Sequence, residues 1–273
     1  MTPTIERLGR ESLLACVELA DACGWSDELS DWRPLFAAAE VTGVRRDGAL
    51  VACCTRAPLG AVAVLGKLLV RPDARRRGLA RALVTRAIEA SQGAVVSLVA
   101  TDEGRPLYDS LGFSPVGEIV ALDGRLAADG PPLPPDVTLG AFDLTRAVEL
   151  DRALTSCDRG ELLRARAAEA VQAWSAFRGG EFVGYAMATS HPERRLVGPV
   201  IARDPSLGAA LVCAVAGIHR VRVHVPSFHW ATVEALTTRG LEVTARRAEL
   251  TLGGVASPLA TPARVALASQ ALG

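Results

Sequence analysis

The segment from Leu68 to Leu83 constrains this chain most. An apolar run, Leu68-Leu69-Val70, ends at Arg71-Pro72, and Asp73-Ala74-Arg75-Arg76-Arg77 follows as a tight basic loop. Gly78 then opens a stretch whose apolar residues, Leu79, Ala82, Leu83, Ala87 and Ile88, recur at helical spacing. Strand, loop and helix N-terminus in direct succession point to a mixed α/β architecture. The first turn of a helix carries unpaired N–H groups and the positive end of the peptide dipoles. A small residue there lets an anion approach the backbone, and Arg75, Arg76 and Arg77 add positive charge beside it. The ligand that suits such a site is a phosphate or pyrophosphate. Neither GxGxxG after a strand nor GxxxxGK[ST] occurs, and the single lysine is Lys67.

A second segment agrees with the first. Val95 to Ala100 has strand character and leads through Thr101-Asp102-Glu103-Gly104 into Arg105-Pro106-Leu107-Tyr108-Asp109-Ser110-Leu111-Gly112-Phe113. Gly112 would end a short helix and Phe113 would begin the next strand. The spacing Arg75-x-x-Gly78-x-Ala80, with the downstream strand, the Leu107-Tyr108 helix and the Leu111-Gly112-Phe113 exit, resembles the GNAT superfamily of acyl-CoA-dependent acyltransferases. The resemblance covers roughly residues 3–122.

The rest of the first half reads as a strand over 4–8, helices over 11–22 and 31–39, and a hairpin of 41–45 with 50–55 across Arg46-Asp47-Gly48. A long strand over 61–70 precedes the basic loop. Helix 78–90, strand 95–100, helix 103–111 and strand 113–121 follow. Residues 124–136 hold four prolines and two glycines, which neither a helix nor a central strand accommodates, so this stretch is expected to be a linker. It divides the chain into 1–123 and 137–273.

The second half repeats the order. Helices are expected over 143–154 and 161–170, strands over 172–177 and 182–189 around Arg178-Gly179-Gly180-Glu181, and a strand over 196–201. Helix 207–216, strand 221–225, helix 230–238 and a last strand through Leu252 complete it. Gly184-Tyr185-Ala186-Met187, Gly198-Pro199 and Val225-Pro226 resemble the C-terminal half of tandem GNAT proteins. Where the first half has Arg-x-x-Gly-x-Ala, this half has Arg203-Asp204-Pro205-Ser206-Leu207-Gly208, and Asp204 would repel a phosphate. The second half is therefore expected to shape the acceptor pocket or to pack against the first.

Composition narrows the function classes. With 273 residues the chain is long enough for two domains, and 49% hydrophobic with 22% charged residues describes a soluble globular protein. A formal net charge of zero argues against a general nucleic-acid coat. The apolar stretches are too short to span a bilayer, and residues 1–12 lack the apolar core of a signal peptide, so a cytoplasmic location is expected. Six cysteines without CxxC spacing read as reduced thiols, with Cys53 and Cys54 on opposite strand faces. His219, His224 and His229 recur at fives, a spacing that puts all three on one face of neither a helix nor a strand, and no metal is expected.

The resemblance implies two tandem GNAT-like domains, each a mixed, mostly antiparallel twisted sheet flanked by helices. It implies acetyl-CoA or another acyl-CoA as co-substrate. Strand backbone at Leu68, Leu69 and Val70 would pair with the pantetheine amides. Arg75, Arg76, Arg77, Gly78, Leu79, Ala80 and Arg81 would hold the pyrophosphate. A small-molecule amine would attack the thioester directly, and Tyr108 matches the tyrosine that protonates the leaving thiolate. The long strand carries no acid where many members of the family place one, which leaves Glu40, Asp102, Glu103 or a group of the second half as candidate bases. That departure also leaves open a non-catalytic acyl-CoA-binding or regulatory module, and a homodimer stays open as well.

Overall fold

The computed structural model describes residues 3–26, 28–127 and 130–273; two residues of the expected linker, 128 and 129, lie outside it. The first half runs β1 (Glu6–Leu8), a 3-10 turn, α1 (Leu13–Ala22), α2 (Leu29–Ala38), β2 (Glu40–Arg46), β3 (Ala49–Pro58), β4 (Val62–Val70), α3 (Leu79–Glu89), β5 (Val95–Val99), α4 (Arg105–Asp109) and β6 (Phe113–Arg125). The second continues with β7 (Val137–Ala141), α5 (Leu144–Thr155), α6 (Gly160–Glu169), β8 (Ala170–Arg178), β9 (Glu181–His191), β10 (Arg194–Ala202), α7 (Gly208–Ala216), β11 (Arg220–Pro226), α8 (Trp230–Thr237), β12 (Leu241–Leu252) and β13 (Arg264–Ala266). The expected elements are present with ends shifted by a few residues. β7 and β13 were not anticipated, and β6 runs through Arg125 into the stretch expected to be linker.

All thirteen strands join one sheet, in the order β1-β2-β3-β4-β5-β12-β6-β11-β10-β9-β8-β7, with β13 on β10. The two halves exchange their last long strands. β12 lies between β5 and β6, with Glu249 opposite Val99 on one side and Gly117 on the other. β6 in turn lies between β12 and β11, with Asp123 opposite Arg222. Two parallel pairs, β4 with β5 and β10 with β11, occupy corresponding places in the two halves.

Alternation along the strands sends apolar side chains to two helix layers. α1, α2, α5 and α6 cover one face, where Cys16, Leu19, Trp32, Leu35, Leu150 and Leu163 are buried together. α3 covers the other face through Leu79, Leu83, Val84 and Ala87, and α7 and α8 cover it through Leu211, Val212, Val215 and Leu236. Cys53 and Cys54 go to opposite faces, and all six cysteines are free thiols.

Each parallel pair splays apart partway. β4 pairs with β5 from Val62 to Leu65 and no further. β10 pairs with β11 from Arg195 to Val197. The second splay is filled by the chain itself. β13 pairs antiparallel with Val200 and Ile201, and the Leu267 N–H donates to the His224 carbonyl of β11 at 3.0 Å. Gly198 sits under this strand at φ +141, and a Cβ built on it would stand 1.9 Å from the Leu267 carbonyl oxygen. Gly198→Ala is therefore expected to cost about 2 kcal/mol or more, through a left-handed backbone and a backbone clash. Urea unfolding would measure the loss, and amide exchange should show residues 264–267 losing protection first. Unchanged protection there would refute the tight seating of β13.

Candidate active site

The first splay stays open and becomes a cavity. Past Leu65 the outward edge of β4 has no strand partner, while β5 goes on through Val99 against β12 on its other edge. The inner edge remains tied to β3, with Cys53 opposite Leu69 and Ala52 opposite Val70, across a bulge that leaves Lys67 at φ 44. Backbone amides of Leu68, Leu69 and Val70 thus border open space on one side only. An extended chain with its own amides could pair there as a strand would.

The basic loop follows directly. Arg76 (φ 63) and Gly78 (φ 78) both take left-handed conformations, a turn that gathers successive N–H groups. The Ala82 N–H bonds the Gly78 carbonyl at 3.0 Å. The amides of Leu79, Ala80 and Arg81 precede that first helical bond and have no carbonyl within the helix to meet. A Cβ on Gly78 would meet nothing within 4 Å, so the approach to this helix start is clear.

One cavity of about 900 Å³ joins these parts. Leu68, Leu69, Val70, Arg75, Arg76, Gly78, Leu79, Ala80, Arg81 and Tyr108 all line it; Arg77 does not. The arginines divide by role. Arg75 is turned inward, with Nε to the Val70 carbonyl at 3.2 Å and an ion pair to Glu103 at 2.9 Å. Arg81 reaches the Ser110 hydroxyl at 2.8 Å and so ties α3 to the end of α4. Arg76 and Arg77 make no ion pair among the described residues, which leaves their charge for a ligand.

Tyr108 stands on the wall opposite β4. Gly104, a short α4 and Phe113 hold it, with the Phe113 ring edge-on at 5.7 Å between centroids. Burial pushes its hydroxyl pKa well up, with Cys54 a lesser cause, so the group is protonated at neutral pH. Of the candidate bases, Glu40 lies outside the cavity and pairs with Arg56 at 2.8 Å. Glu103 lines the cavity but is held by Arg75. Asp102 lines it without an ion pair among the described residues.

Among the lining residues that sequence reasoning missed, Trp25, Lys67 and Arg247 stand out. Trp25 comes from the turn after α1, and the Lys67 Nζ lies 5.3 Å from its ring and 5.5 Å from that of Trp32. Arg247 comes from β12, the strand lent by the second half. Only the strand exchange brings it here, and no local signal announces it. The histidines do not converge among the described residues: His229 Nε2 lies 3.0 Å from the Arg264 carbonyl oxygen, and His224 sits on β11.

The corresponding place in the second half is closed. The Asp204 carboxylate accepts from the Ser206 N–H at 3.0 Å and from its hydroxyl at 2.6 Å, so the start of α7 already holds an anion of its own. Beyond it, a Cβ on Gly208 would stand 2.5 Å from Val265 of β13. Strand, helix start and splay are all occupied by the chain.

Comparison with known proteins places the two halves alike. Sequence models of the acetyltransferase (GNAT) domain match residues 37–115 and 147–261. The uncharacterized N-acetyltransferase YitH of Bacillus subtilis is 25% identical over 248 residues, 86% of each chain. In fold, the chain is similar to a Pyrococcus horikoshii protein described as an acetyltransferase, with a TM-score of 0.82 at 16% identity over 100% of this chain and 96% of that one. It is also similar to a tandem GNAT protein from the clavulanic acid biosynthesis pathway, with a TM-score of 0.62 at 19% identity over 93% and 99% of the two chains. With a GNAT domain matched in each half and the fold to accompany both, the chain belongs to the GNAT acetyltransferase family as a tandem-domain N-acetyltransferase.

Proposed function

We propose that this enzyme transfers an acetyl group from acetyl-CoA to a small-molecule amine, with one cofactor site per chain, in the first half. One observation carries the reading: the open edge of β4 runs into a left-handed loop and a free helix start, and these share a cavity with Tyr108. Pantetheine would lie along Leu68, Leu69 and Val70 as an added strand. The pyrophosphate would meet the amides from Arg76 to Arg81, where the helix dipole and two uncommitted guanidiniums favour it.

With the thioester held at the splay, the amine nitrogen attacks its carbonyl carbon. The C–N bond forms as the carbonyl electrons move onto oxygen. Outward N–H groups of β4 past Leu65 are the donors available to that oxyanion. Collapse breaks the C–S bond, and Tyr108 gives its proton to the departing thiolate. The proton of the attacking nitrogen leaves through water or to Asp102. Holding both partners in one cavity removes the entropic cost of bringing them together. The absence of a carboxylate on β4 suits an amine that arrives already neutral.

Three measurements test this reading. Calorimetry should find one CoA bound per chain, because β13 and Asp204 occupy the second splay; two equivalent sites would overturn the assignment. Gly78→Glu places a carboxylate and a side chain where the pyrophosphate would sit. Its Cβ meets open space, and the left-handed φ of 78 costs a non-glycine residue about 1–2 kcal/mol, so circular dichroism should be unchanged with a slightly lower melting temperature. CoA affinity should fall at least about tenfold, or about 1.4 kcal/mol. An unaltered affinity would move the cofactor away from this loop. Tyr108→Phe keeps the ring and removes the proton. Acyl-CoA binding should persist while kcat drops by about 10²–10⁴. Weakened binding with little change in kcat would give Tyr108 a packing role, and a failure to acetylate any amine would favour an acyl-CoA-binding module.

A further inference from the structure

The acceptor must reach the thioester at the splay, and the wall there is not made by the first half alone. Beyond Val99 the next strand is β12, and its Arg247 lines the cavity. Arg247 makes no hydrogen bond or ion pair among the described residues. The nearest carboxylate on the same face of β12, Glu249, is committed to the buried Arg264 at 2.9 Å. The cavity therefore presents a cation that the chain does not neutralise.

The face that carries Arg247 runs on to a charge cluster around Asp123. Arg247 lies opposite Ile119 of β6; two residues along β6, Ala121 lies opposite both Ala245 and His224, and then Asp123 lies opposite Arg222. Directly paired residues point to the same side of a sheet, so Arg247, His224 and Arg222 share one face across three strands. Arg222, Arg220 and Arg194 all converge on the single carboxylate of Asp123, at 3.1 Å for Arg222 and 2.6 Å for Arg220. Glu193 also pairs with Arg194 at 2.8 Å and Glu242 lies opposite Asp123, so this cluster balances its own charge, and Arg247 keeps no such partner among the described residues. Burial pushes the His224 imidazole down to about 4, with Arg222 and Arg247 as further causes, so no third charge forms between them at neutral pH.

We infer that the acceptor is an amine carrying a second, oxyanionic group, a carboxylate or a phosphate monoester, which Arg247 binds at the wall of the acyl-CoA cavity. The inference deepens the acyl-transfer reading and rests on it for the amine. A molecule with both groups matches a cavity that offers Asp102 to the amine and Arg247 to the anion. Arg247 acts here as a specificity determinant, since guanidinium pairs with carboxylate and phosphate are strong and geometrically selective.

Matched pairs of amines test it: β-alanine against propylamine, and phosphoethanolamine against ethanolamine. Turnover is read as thiol release from acetyl-CoA, and binding is read separately by calorimetry on the protein saturated with CoA. The anionic member of at least one pair should show a kcat/KM and an affinity at least about tenfold higher than its neutral partner. The two pairs distinguish carboxylate from phosphate. Arg247→Ala should collapse that ratio, chiefly through KM, and Arg247→Lys should restore part of it. Equal binding within both pairs, or no binding by any of the four, overturns the inference. So does a ratio that survives Arg247→Ala, whether or not that variant weakens CoA binding. Preferential binding of the anionic amines without thiol release would uphold the anion site and refute acyl transfer instead.

Discussion

The pairing of β12 with β6 holds this molecule's two halves in one sheet, and the active-site cavity depends on it. Eleven registered positions, from Leu241 opposite Gly124 to Leu252 opposite Phe113, join strands from different halves. Without β12, β5 would present an unpaired edge at Ser97–Val99, beside the residues that carry Tyr108 into the cavity. Backbone donors and acceptors left unpaired in a buried setting are costly, so the first half has no complete sheet of its own. The cavity wall is thus a product of both halves even though the basic loop belongs to one. A hinge between the halves would have to break main-chain pairing, which makes them a single framework around the site.

The same constraint explains why one of two similar halves has an open splay and the other a filled one. A splayed parallel pair leaves a strand edge exposed inside the protein. In the first half that edge faces a cavity, where solvent or an extended ligand can satisfy it. In the second half β13 satisfies it permanently, and Asp204 does the same for the start of α7. Burial of Val265, Ala266 and Leu267 adds an apolar contribution, since each lies within 1% of full burial. The tail then crosses to the first half, where a Cβ on Gly66 would stand 2.3 Å from that of Ala271. One segment closes the unused splay and packs at the bulge of β4 that borders the used one.

Much of the site was legible in the sequence because its chemistry is local. The loop from Arg75 to Gly78 and the helix start behind it are neighbours in the chain, so composition and spacing reveal them directly. Tyr108 was readable for the same reason, as part of a short helix bounded by Gly104 and Gly112. The pattern did not distinguish among the arginines: Arg75 turns back to Val70 and Glu103 and braces the loop, and Arg77 does not line the cavity. What stayed hidden is non-local. Period-two alternation identifies 113–121 and the last strand as strands but says nothing about partners, so the exchange that brings Arg247 to the cavity left no trace. β7 follows a run of prolines and has only five residues, and β13 has three, in an apolar tail without alternation. Their strand character comes from the partner edge and not from their own sequence.

The buried charges show how tightly the tail is committed to the exchanged strand. Arg264 is carried by β13 and Glu249 by β12, and their ion pair is fully desolvated at 2.9 Å. Arg159 is equally buried near Asp151, which in turn accepts from the Tyr185 hydroxyl. Such pairs rarely stabilise a fold relative to apolar residues of the same volume, but removing one partner leaves an uncompensated charge in the core. They therefore penalise any packing that misplaces the tail, because Arg264 would be stranded without Glu249. Apolar contacts alone would tolerate sliding of a segment as alanine-rich as 260–271. A charge with one buried partner does not, and the register of the tail over Gly198 and Gly66 follows from where Glu249 stands on the exchanged strand.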